Sequence, residues 1–76
     1  MTTTVEFSKD HYHLQGEMET WCGQHISKNP PYSNWVYSKP TDWEGMGNWC
    51  MTSAFGSTFF YFRNESDAIM FTLKWK

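Results

Sequence analysis

The sequence predicts a small α+β domain, an antiparallel sheet with two helices on one face, built as two layers in the order β-α-β-β-β-α. Three observations lead there. The chain has 76 residues, enough for a single domain. Stretches rich in β-branched and aromatic residues alternate with two stretches whose apolar residues recur at helical spacing. Prolines, glycines and Asn/Asp clusters separate them closely, so residues 1–76 form one unit with no linker or internal repeat.

Each element has its own signal. Thr2-Thr3-Thr4-Val5-Glu6-Phe7 is β-branched, with Val5 and Phe7 on one side, and reads as the first strand. Ser8 and Asp10 offer N-cap oxygens. Leu14, Met18, Trp21, Cys22 and His25 then make one helical stripe. Gly16 costs about 1 kcal/mol against alanine there and loosens the first half of that helix. Asn29-Pro30-Pro31 stops it, because two prolines cannot continue a helix. Tyr32 to Tyr37 is β-rich, a second strand, followed by turn chemistry on both sides of Trp43. Trp49 to Ala54 reads as a third strand, and Gly56 marks a tight turn or bulge before Thr58 to Phe62, the most strand-like segment. Asn64 then caps a closing helix, with Asp67 three residues on able to reach back. Glu65 and Asp67 suit the positive end of its dipole, and Lys74 and Lys76 the negative end. Ile69, Phe71, Leu73 and Trp75 also alternate as a strand would; the cap and charge pattern decide for a helix.

Composition excludes several classes. Five Trp, four Tyr and six Phe make 20% of the chain aromatic, against 18% charged, which is the reverse of a disordered composition. No apolar run approaches the roughly 18 residues of a membrane span, and there is no basic-then-apolar opening, so no membrane is expected. A net charge of −2 argues against a dedicated nucleic-acid binder, whose affinity comes from Lys and Arg on phosphate. Two cysteines, Cys22 and Cys50, are too few for a disulfide scaffold and read as thiols packed like small hydrophobes, with a Cys22–Cys50 bridge as the alternative.

The residues from Phe60 through Asn64-Glu65-Ser66-Asp67-Ala68 to Trp75 resemble the ending of many short uncharacterised phage proteins: a strand, an acidic turn, Asp-Ala, then a helix with Phe, Leu and Trp. Met18-Glu19-Thr20-Trp21-Cys22 is similar to the Trp-Cys helix near their start. The resemblance covers residues 18–26 and 58–75. It implies a viral origin and a host-cell cytoplasmic setting, and it brings no activity with it.

No catalytic or cofactor motif is present. Cys22 and His25 share one helical face and Cys50 offers a third ligand, but structural zinc wants four, often in two close pairs. His11 lies roughly 16 Å from Cys22 along a continuous helix, so it joins only if Gly16 breaks that helix, and His11 and His13 point about 200° apart on a helix or to one side of a strand. No metal and no cofactor are therefore expected. Cys22 beside His25 supplies a nucleophile and base, without an oxyanion hole. Gly45-Met46-Gly47 lacks the Lys-Ser/Thr and helix start of a phosphate loop. The expectation is a non-enzyme.

The aromatic surplus carries the functional expectation. On the last strand, Phe60 and Phe62 face one way, and Phe59 and Tyr61 the other. One pair faces the helices, which leaves an aromatic pair on the open face, extended by Trp35, Tyr37 and Trp49 and flanked by Trp43. Such a patch marks a partner site, and a domain of this size gains burial by pairing. The expectation is protein binding through Trp35, Tyr37, Trp43, Trp49, Phe59 and Tyr61, as a homodimer or with a host protein. Single-stranded nucleic acid stacked on the same face is the alternative. The competing arrangement has loops, above all the one carrying Trp43, folded back over that face.

Overall fold

The structure is a computed structural model that describes residues 2–27, 36, 39–45 and 47–76. Its elements are β1 (Thr3–Ser8), α1 (Gln15–His25), β2 (Trp49–Ala54), β3 (Ser57–Phe62) and α2 (Glu65–Trp75), a small α+β fold in the expected order. Of the strand expected over 32–37 only Val36 is described, and the Asn29-Pro30-Pro31 stop lies outside the described residues.

The three strands form one antiparallel sheet in the order β1-β3-β2. The segment with the most aromatic and β-branched residues thus takes the central place, where cross-strand neighbours flank it on both sides. Val5 and Met51 lie opposite Phe60, and Thr3 and Trp49 opposite Phe62. These side chains share one side of the sheet, and all but Thr3 join one buried cluster with Met18 and Cys22 of α1 and with Ala68 and Phe71 of α2. Phe71 is its centre, with ring centroids 4.7 Å from Phe60, 5.0 Å from Phe62, 5.7 Å from Phe7 and 5.8 Å from Trp21. Leu14, Trp21 and Trp75 pack half-buried against its rim.

Two local details differ from the sequence reading. The chain after β1 winds first as a 3-10 helix, Lys9–Leu14, and becomes α-helical only at Gln15, with Ser8 making no side-chain cap bond. The tighter helix occupies the stretch that carries no buried residue, where packing imposes no 3.6-residue period. At α2, the Asn64 backbone is extended as a cap should be, but its side chain does not bond the helix N–H groups. Instead Asn64 Nδ2 donates to Asp67 Oδ2 at 3.3 Å, and the Asn64 carbonyl accepts from the Asp67 N–H at 3.2 Å.

Gly56 belongs to a tight two-residue turn joining β2 to β3. Both turn residues have left-handed backbone, Phe55 at φ 53° and Gly56 at φ 78°, as a type I′ hairpin requires. Phe55 is fully exposed there.

Candidate functional site

The far side of the sheet carries a second buried cluster of Trp43, Cys50 and Tyr61, with Val36 and Phe59 packed partly buried against it. Phe59 and Tyr61 lie nearly parallel, 6.5 Å between centroids. The loop bearing Trp43 crosses this face and is tied down by hydrogen bonds: Trp43 Nε1 donates to Thr2 Oγ1 at 2.9 Å, and that hydroxyl donates to the Pro40 carbonyl at 3.1 Å. Only 8% of Trp43 and 7% of Tyr61 remain exposed. The loop therefore covers the face that the aromatic count leaves open.

Trp49 corrects the expected patch. Alternation along β2 places it with Met51 on the helix side, 1% exposed in the main core, where it stacks 6.4 Å from Phe60. Its indole N–H donates to the Ser27 carbonyl at 2.8 Å, so it ties the end of α1 to the start of β2. The expected patch needed Trp49 beside Phe59 and Tyr61. The hairpin register instead pairs Cys50 with Tyr61, and Trp49 with Phe62. Trp35 and Tyr37 lie outside the described residues. Phe59 is the one described member of the expected set that keeps partial exposure.

The thiols do not converge. Cys22 is buried in the main core and Cys50 in the second cluster, and both are free. Burial pushes the Cys50 thiol up to about 12. Burial, reinforced by the carboxylates of Glu19 and Asp67, raises Cys22 strongly as well. A nucleophilic cysteine needs the opposite shift. His25 is exposed and lies against the Trp21 ring at 4.8 Å. Among the described residues, no three His, Cys, Asp or Glu side chains form a group that could hold a metal.

Among the described residues, two open grooves stand out. One, of about 900 Å³, runs between α1 and the end of α2 and is lined by Glu17, Trp21, Gln24, Lys74 and Trp75, a mixed and charged surface. The other, about 280 Å³ and mostly apolar, lies between β1 and α2, lined by Thr3, Thr4, Val5, Ala68, Ile69 and Leu73. It adjoins the outer edge of β1, the end strand of the sheet. Ile69 is 54% exposed and Leu73 82%, at i and i+4 of α2, with Met70 also exposed beside them. Helical spacing puts Ala68, Phe71 and Trp75 on one stripe of α2, with Ile69 and Leu73 widening it. Within α2 the buried side chains are Ala68 and Phe71, so Ile69 and Leu73 fall outside the face turned to the sheet. Alternation within the helix carried no signal for this; only the position of β1 at the edge did.

No protein-family model, curated protein or solved structure matches the chain. Among the described residues, no helix is long and apolar enough to cross a membrane.

Proposed function

We propose that this protein is a non-catalytic binding module that takes a protein partner along the outer edge of β1 and the adjoining apolar side of α2. One observation carries the reading: two large aliphatic side chains, Ile69 and Leu73, stand exposed in register beside an apolar groove and a sheet edge that pairs with no other described strand. An edge strand offers a row of backbone donors and acceptors, and an apolar groove beside it gives side-chain specificity. The aromatic face, the first candidate for this role, contributes less because its own loop occupies it. The resemblance of residues 18–26 and 58–75 to short phage proteins supports a setting in the cytoplasm of an infected host cell, with a host protein or another copy of the chain as the partner.

The test is site-specific photo-crosslinking in producing cells. A photoreactive phenylalanine at position 73 should yield protein adducts that are lost on adding Ile69→Lys. The same group at the exposed Gln24 should give few. Equal protein adducts from both positions would refute the assignment of the surface. Nucleic-acid adducts in place of protein would refute the class of partner and favour base stacking.

A further inference from the structure

We propose that the partner at this edge is a second copy of the same chain, with β1 pairing antiparallel to β1 of its mate about a two-fold axis; the inference rests on the protein-binding reading above. The backbone geometry points to it. In a two-residue hairpin, the residues flanking the loop exchange both hydrogen bonds, and the ladder alternates from there. Ala54 and Ser57 flank this loop, so Ser57, Phe59 and Tyr61 bond to β2, and Thr58, Phe60 and Phe62 turn their backbone groups to β1. Their partners Phe7, Val5 and Thr3 are consumed by that ladder. Thr4, Glu6 and Ser8 therefore direct their N–H and C=O groups away from the sheet. The same alternation on β2 leaves Met51 facing outward, and there the Val36 N–H donates to the Met51 carbonyl at 2.8 Å. That bond checks the phase independently.

The outward row of β1 is self-complementary. Two-fold pairing must match Thr4, Glu6 and Ser8 among themselves, and two registers keep most of Thr3–Ser8 paired. One sets Glu6 directly opposite Glu6 of the mate, with like charges about 5 Å apart, which is destabilising. The other puts Val5 on the axis and Thr4 opposite Glu6 on each side, and each of those pairs exchanges two N–H···O bonds. Charge selects the second. It brings the two Thr3-Thr4-Val5 grooves side by side, so Ile69 and Leu73 of each α2 meet their counterparts over the joined strands. The result joins the three described strands of each copy into one continuous sheet. Two six-residue strands and two exposed side chains from each α2 make a small contact set beside the roughly 1,000 Å² a specific interface needs, so association should depend on concentration in the accessible range.

The experiment is sedimentation equilibrium with native mass spectrometry, from low micromolar to near-millimolar protein. Two variants accompany the wild type. Leu73→Lys changes a side chain that is 82% exposed and leaves the core intact. Thr4→Pro removes only an outward N–H, so the β1–β3 ladder survives. A wild-type dimer is expected, weakened at least tenfold by each change, with unaltered circular dichroism in dilute solution. In the wild-type dimer the Thr4 and Glu6 amides should exchange at least tenfold more slowly than in the dilute monomer. A chain monomeric throughout the range overturns the second-copy proposal. If position 73 still crosslinks to other proteins, the protein-binding reading survives that failure; if it does not, both fall. A dimer indifferent to both variants would place the interface elsewhere and also overturns the proposal.

Discussion

The β2–β3 turn gives the sharpest thermodynamic prediction, because Phe55 breaks two local rules at once. It holds a left-handed backbone at φ 53°, and its ring is fully exposed, so the ring buries nothing in return. A left-handed non-glycine residue costs about 1–2 kcal/mol, and Asn, whose short side chain tolerates that region, recovers much of it. Phe55→Asn should therefore stabilise the fold by about 1 kcal/mol, or about 4–8 °C in Tm for a domain this small. Phe55→Gly should gain less, because glycine loses about 0.5–1 kcal/mol more in backbone entropy on folding. The neighbouring residue supplies the converse. A Cβ on Gly56 would meet nothing within 4 Å, so Gly56→Ala is opposed only by its φ of 78° and should cost about 1 kcal/mol. Urea and thermal melts of the three variants, in dilute protein, read these values directly. If Phe55→Asn destabilises the protein, the ring is engaged in the fold. If Gly56→Ala is neutral, the turn is not type I′. Either result refutes the reasoning.

Other predictions follow from the core and its titrating groups. Phe71→Ala removes the ring on which Phe7, Trp21, Phe60 and Phe62 converge and should cost about 3–5 kcal/mol, most of the stability of a domain of this size; loss of cooperative melting at physiological temperature would show it. Trp43→Phe keeps an aromatic ring over the second face but deletes the donor to Thr2 Oγ1, a loss of about 1 kcal/mol measurable by urea titration. Alkali should unfold the protein through its thiols. A folded Cys50 held at about 12 against an ordinary 9.0 keeps its proton while the unfolded chain ionises, so its stabilising contribution is complete below pH 9 and is lost between pH 9 and 12. By pH 10 that amounts to on the order of 1 kcal/mol, with Cys22 and Tyr61 shifted in the same direction. Denaturant midpoints at pH 8 and pH 10, compared with a Cys50→Ala variant, measure it; a pH dependence unchanged in that variant would show that the thiol is not responsible.

The sequence by itself determined three described strands, both α-helices and most of the core. Helical spacing located Met18, Cys22 and Phe71, period-two alternation separated Phe60 and Phe62 from Phe59 and Tyr61, and Asn64 with Asp67 marked the start of α2. Those signals are local, set by residues a few positions apart, and they survive without knowledge of the rest of the chain. The candidate site was not legible in the same way. Whether Trp49 faces the helices depends on the register of β2 against β3, and whether Tyr61 is open depends on a hydrogen bond from Trp43 back to Thr2. The exposure of Ile69 and Leu73 depends on β1 crossing to the far side of β3, where Thr3 pairs with Phe62. Only the tertiary structure decided these points, because pairing between distant segments chooses which face is covered and which edge stays free, and a periodicity reports the existence of a face but not its neighbour.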